Sequence, residues 1–95
     1  MSQTIKPTIG RVVLFVPKES KHGFGFALNA GKPHNAHVAY VHSDTCVNLT
    51  VSDANGKTFG MTSVTLRQPG EPEPGGDYCE WMPYQIQAAQ AHANK

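Results

Sequence analysis

Ala36-His37-Val38-Ala39-Tyr40-Val41-His42-Ser43-Asp44-Thr45-Cys46-Val47-Asn48-Leu49-Thr50-Val51-Ser52-Asp53-Ala54-Asn55-Gly56, continued by the run from Phe59 to Arg67, decides the fold. Two apolar-alternating runs flank Ser43-Asp44-Thr45, and a third follows Asp53-Ala54-Asn55-Gly56, which reads as a three-stranded antiparallel meander. In the first strand, Ala36 to His42, Val38 and Tyr40 share one face and Ala39 and Val41 the other. In the second, Cys46 to Ser52, Val47, Leu49 and Val51 point inward and Asn48 and Thr50 outward. Asn55 and Gly56 suit the positive-φ positions of a tight turn. The third strand turns Val64 and Leu66 toward the core.

Upstream, residues 1–6 carry no period and read as loose. Pro7 keeps Lys6 extended, and Gly10 leads into Arg11-Val12-Val13-Leu14-Phe15-Val16, a strand apolar on both faces that Pro17 ends. The connection over 18–35 is long for so small a domain, basic and glycine-rich. Phe24 and Phe26, two apart, suit a short strand with both rings on one face. Downstream, Gln68 to Asp77 holds three prolines and three glycines and reads as an extended, polyproline-like arm with a hinge. Tyr78-Cys79-Glu80-Trp81-Met82-Pro83-Tyr84 then returns to apolar character and closes the domain as a fifth strand or docked segment. The tail over 85–95 is rich in Ala and Gln and suits a helix, but Ile86 is its only large aliphatic residue, so it is expected to fray.

These elements make one β domain over 7–84. The 95-residue chain is 39% hydrophobic and 16% charged, and its 9 glycines and 7 prolines suit short strands and turns. The expected fold is all-β: a small, bent antiparallel barrel or roll, SH3-like, with four to five strands and a loose C-terminal tail. A formal net charge of +1 argues against a polyanion partner across the whole surface, and nucleic acid is disfavoured. Charge is segregated locally. Lys18, Lys21 and Lys32 face Glu19 alone in the long connection, whereas Pro69 to Trp81 holds Glu71, Glu73, Asp77 and Glu80 and no base. No run approaches the roughly 20 apolar residues that span a bilayer. The N-terminus has no secretory pattern, so Cys46 and Cys79 are expected as reduced thiols and Asn48-Leu49-Thr50 as an ordinary strand triplet.

The series Pro7-Thr8-Ile9-Gly10-Arg11-Val12-Val13, Val41-His42-Ser43-Asp44, Val47-Asn48-Leu49, Asp53-Ala54-Asn55-Gly56, Thr62-Ser63-Val64 and Cys79-Glu80-Trp81-Met82-Pro83-Tyr84-Gln85 resembles a family of small tailed-bacteriophage and prophage accessory proteins. The last motif is the most specific. The resemblance implies a viral protein made in the host bacterial cytoplasm that counteracts a host system by binding. It carries over no catalytic residue. The 18–35 connection is longer than the family pattern.

His37 and His42 are an odd number apart and point to opposite faces of one strand, which disfavours a zinc site of three or four ligands converging at about 2 Å. Cys79 among aromatic residues reads as a small core residue rather than a nucleophile. Gly23-Phe24-Gly25-Phe26 and Gly31-Lys32-Pro33 lack the spacing and following helix of a phosphate loop. No catalytic residue, metal or cofactor is expected. The expected ligand set is Lys18, Lys21 and Lys32, with Arg11 and Arg67 as further cations and Tyr40, Tyr84 and Trp81 as a stacking surface. Trp81 has a competing role as the anchor of the closing segment. The leading expectation is a non-catalytic protein that sequesters a small phosphorylated, nucleotide-type ligand, as a homodimer or higher homo-oligomer. The alternative is an inhibitor that binds a host bacterial protein through the acidic arm or a strand edge.

Overall fold

The computed structural model describes residues 4–23 and 26–93. Seven strands, β1 (Val12–Val16), β2 (Lys21–Gly23), β3 (Phe26–Leu28), β4 (His34–Ser43), β5 (Cys46–Ser52), β6 (Thr58–Arg67) and β7 (Tyr78–Glu80), precede helix α1 (Pro83–Ala93). Five of them close a barrel in the order β1-β4-β5-β6-β7, and β2 with β3 forms a separate hairpin. The meander supplies β4, β5 and β6, each antiparallel to the next. With an odd number of strands one neighbouring pair must be parallel. Here β7 runs antiparallel to β1 and parallel to β6, so the chain between β6 and β7 crosses the full height of the barrel.

The two ends of the barrel therefore carry different segments. One end holds the β1–β4 connection with its hairpin, the β5–β6 turn and the last residues of the arm. The other holds the N-terminal segment, the β4–β5 turn, the start of the arm and α1. Val47, Leu49, Val51, Val64 and Leu66 are buried, as the alternation of β5 and β6 requires, together with Val13, Phe15, Val38, Cys79 and Trp81.

The alternation expected for β4 fails after Val38. Val38 pairs with Leu49 but Tyr40 pairs with Asn48, so β4 advances two residues while β5 advances one. This bulge re-aims the rest of the strand. Tyr40 is turned outward and is 54% exposed, while Val41 packs against the core. The register of β4 on β5 shifts again between Val41 and Ser43, and a further bulge lies on β6, where the three steps from Met61 to Val64 span two on β5. There Ser63 adopts φ 55°, a left-handed conformation that non-glycine residues seldom take. In the β5–β6 turn Gly56 alone has positive φ, at 82°, and Asn55 does not share that conformation.

Residues 4–6 are not loose. Ile5 reaches the core because Gln68 captures its backbone. Gln68 Oε1 accepts from Ile5 N–H at 2.9 Å and from Trp81 Nε1–H at 3.3 Å, and Gln68 Nε2 donates to Ile5 O at 2.9 Å and Asp44 O at 2.7 Å. One buried amide thus ties together the N-terminal segment, the β4–β5 turn and the closing Trp81. The Ala- and Gln-rich tail is helical over Pro83–Ala93, the option its composition left open, and its first half is docked. Gln85 Oε1 accepts from Met82 N–H at 2.7 Å and Gln85 Nε2 donates to Val12 O at 2.9 Å, so one side chain caps the helix and fastens it to β1. Ile86 and Ala89 pack against the core. No helix among the described residues is long and apolar enough to cross a membrane.

Candidate functional site

The long connection after β1 is drawn onto the barrel by Asp53. This buried carboxylate accepts from Ala27 N–H at 2.9 Å through Oδ2, and from Asn55 N–H at 2.9 Å and Lys57 N–H at 2.8 Å through Oδ1. Ala54 N–H also donates to Ala27 O. Burial pushes the Asp53 carboxyl up, but the three backbone donors and the nearby Lys57 charge outweigh it and hold the group below its usual value. The result is a hairpin strapped to the β5–β6 turn by one ionised side chain and one backbone bond.

Beyond the hairpin, the turn from Asn29 to Lys32 is shaped by His34, which is buried where β4 begins. His34 Nε2 accepts from Asn29 N–H at 3.3 Å, so Nδ1 carries the proton and donates to Lys32 O at 2.9 Å. Gly31 N–H donates to Pro17 O, which draws the turn back against the end of β1.

The arm from Gln68 to Asp77 is a strap rather than a free linker. Pro69 and Gly70 form its first turn, with Gly70 at φ 87° and Glu71 N–H donating to Gln68 O. Glu71 Oε1 accepts from Gln68 N–H, Glu73 accepts from the Tyr78 hydroxyl, and Asp77 Oδ1 accepts from Lys18 N–H at 2.7 Å. The Lys18 ammonium donates to Gly75 O. Burial, with Glu80 and Glu73 nearby, pushes the Tyr78 hydroxyl above its ordinary value, so it stays protonated as the donor to Glu73.

Between this strap and the β1–β4 connection lies an open cleft of about 350 Å³, lined by Val16, Pro17, Lys18, Gly31, Glu73, Pro74, Gly75, Gly76 and Tyr78. A smaller crevice beside it is lined by Lys18, Glu19, Gly76 and Asp77. The expected site residues do not all meet there. Lys18 lines both hollows, and Lys32 is exposed next to the lining residue Gly31. Lys21 lies in β2, where only the backbone is described, and the two-ring expectation for Phe24 and Phe26 falls outside the described residues because Phe24 does.

Arg11 and Arg67 sit at the opposite end of the barrel. The Arg11 guanidinium lies 5.5 Å from the Trp81 ring centroid, and Arg67 pairs with Glu80 at 3.3 Å while its Nε donates to Glu71 O. Trp81 is 2% exposed, so it is the anchor of the closing segment and not part of a stacking surface. Tyr40 and Tyr84 are exposed, on β4 and on the first turn of α1. Among the described residues no group of three or more His, Cys, Asp or Glu is placed to hold a metal ion. Cys46 and Cys79 are free thiols, and burial pushes the Cys79 thiol up to about 12.

Sequence reading found Lys18 but missed the opposing wall, Glu73 to Gly76 and Tyr78, because the arm carries no hydrophobic period. Its only signal is the spacing of carboxylates along an otherwise unpackable segment. Comparison with known proteins matches no protein family, no curated protein and no solved structure.

Proposed function

We propose that this protein is a non-catalytic viral accessory protein that counteracts a host bacterial system by sequestering a small phosphorylated, nucleotide-type ligand, with the cleft at Lys18 as its seat. The observation that carries this reading is the Lys18 ammonium, which lines the cleft yet donates to a neutral carbonyl, Gly75 O, and not to a carboxylate. A phosphate offers the ammonium a full opposite charge where the carbonyl offers only a dipole, so a ligand phosphate gains by taking that carbonyl's place. The neighbouring carboxylates of Asp77 and Glu73 already accept from Lys18 N–H and the Tyr78 hydroxyl. The cleft volume falls in the range of roughly 300–1,000 Å³ usual for small-molecule sites. Lys32 stands beside it. Action in the host cytoplasm and assembly as a homo-oligomer, which brings a second set of lysines to one ligand, complete the reading.

One observation favours a second reading. Glu19, Glu73 and Asp77 outnumber Lys18 around the two hollows, which suits a host protein presenting a basic side chain to the strap. Calorimetric titration of cyclic and linear nucleotides into wild type, Lys18→Ala and Lys32→Ala separates the two. The small-ligand reading requires heat with wild type and a loss of at least about tenfold in affinity for each variant. Absence of heat across the panel overturns it. Capture of a host protein that depends on Glu73 and Asp77 then supports the second.

A further inference from the structure

Away from the cleft, the β4 bulge before Tyr40 and the β6 bulge flank the same residue of β5. Asn48 faces the β4 bulge at Tyr40 on one side and the β6 bulge at Ser63 on the other. Its Oδ1 accepts from Ser63 N–H at 2.8 Å, which compensates the backbone group that the left-handed Ser63 takes out of the ladder. The same oxygen lies 3.0 Å from His42 Nε2. An amide oxygen can only accept, so in neutral His42 the proton is on Nε2 and Nδ1 is left as an acceptor. Tyr40 meets the His42 ring edge-on, with centroids 5.0 Å apart and planes at 69°, which leaves its own ring on the surface.

This patch is built at a conformational cost. An extra residue in β4 turns an aromatic side chain out of the core, and an extra residue in β6 holds a serine in a strained conformation beside it. Strain and bulges of this kind gather where a side chain has to be aimed. Beyond the Asn48 oxygen, the Asn48 amide nitrogen, His42 Nδ1 and the Ser63 hydroxyl are engaged by no side chain among the described residues. A donor, an acceptor and a hydroxyl therefore lie beside an exposed aromatic ring.

We propose that Tyr40, His42, Asn48 and Ser63 form a recognition site for a nucleobase, which stacks on Tyr40 and reads its polar edge against the Asn48 amide and His42 Nδ1. The site is separate from the Lys18 cleft and does not depend on it. The ring of any base offers a face for stacking, and the edge atoms add preference. The base comes either from a free nucleotide or from a single-stranded nucleic acid, and the shared chemistry is the planar heterocycle.

The test is a two-dimensional ¹H–¹⁵N spectrum of the full chain titrated with adenosine, adenosine 5′-monophosphate and a short single-stranded oligodeoxynucleotide. Shifts are expected at Tyr40, His42 and Ser63 and at the Asn48 side-chain amide, with Lys18→Ala behaving as wild type at these positions. Tyr40→Ala, an exposed substitution whose dispersed spectrum verifies folding, is expected to weaken binding at least about fivefold. Asn48→Asp keeps an oxygen for Ser63 N–H and loses the donor, so it is expected to weaken binding while the Ser63 amide keeps its position. Tighter binding of the oligonucleotide than of the nucleotide assigns the site to single strands; equal binding assigns it to free nucleotides. No shift at these residues with millimolar adenosine overturns the proposal, as does unchanged binding in Tyr40→Ala.

Discussion

Replacing Gln68 by Met keeps the length of a buried side chain and removes every hydrogen bond that it makes. Gln68 is 4% exposed, and its amide is bonded to Ile5 N–H, Ile5 O, Asp44 O and Trp81 Nε1–H. Asp44 lies on an exposed turn, so its carbonyl recovers water. The two Ile5 groups and the Trp81 indole stay covered and lose their partners at about 1–3 kcal/mol for each such buried group. The expected loss is about 3–9 kcal/mol, a large part of the roughly 5–15 kcal/mol that holds a domain together. Urea unfolding followed by Trp81 fluorescence reads it directly, and the melting temperature should fall by about 12 °C or more. A chain lacking residues 1–6 should lose part of the same energy. Because Ile5 and Gln68 share two bonds, the combined variant should lose clearly less than the two changes added. A Gln68→Met cost below about 1 kcal/mol, or simple additivity, would refute the reasoning that one amide joins the three segments.

Leu49→Ala, at the centre of the barrel, should destabilise by about 2–5 kcal/mol, and an unchanged melting temperature would place Leu49 outside the core. Asp53 has a lowered pKa when folded, so the stability it supplies is complete above the ordinary carboxylate value and is lost as pH falls through the folded value. Asp53→Asn should therefore flatten the acid limb of a stability-versus-pH curve, and an identical limb in wild type and variant would contradict the strap. The Cys79 thiol, pushed up to about 12, should resist a thiol reagent at pH 8 in the folded protein while the half-buried Cys46 reacts first, as peptide mapping after labelling can show. Equal labelling of the two would overturn the burial argument.

The barrel was legible because the period-2 pattern of Cys46 to Ser52 admits one inward face, and the turns around it leave only an antiparallel meander. The faces of β4 were legible only as far as Val38, since nothing in Ala39-Tyr40-Val41 announces a residue that the partner strand skips. Gln68 and Gln85 were missed for a related reason. Each is a polar residue in a segment without hydrophobic rhythm, and its role comes from backbone groups 63 and 73 positions away along the chain, at Ile5 and Val12. The ligand set was read by charge alone, and charge does not say which end of a barrel a residue occupies. Lys18 and Arg67 therefore looked like partners although the fold parts them. Of the two roles open to Trp81, anchor or stacking surface, its burial leaves the anchor, because a single large aromatic after an unpackable arm has to supply the packing that the arm lacks.

The central claim is that the cleft at Lys18 takes a small anionic ligand. Native mass spectrometry of the protein purified from cells, read intact and again after denaturation, tests it most directly. The account expects an intact mass that exceeds the chain or its oligomer by a small molecule, release of that molecule on denaturation, and its loss in Lys18→Ala. Bare protein in wild type and variant alike would contradict it.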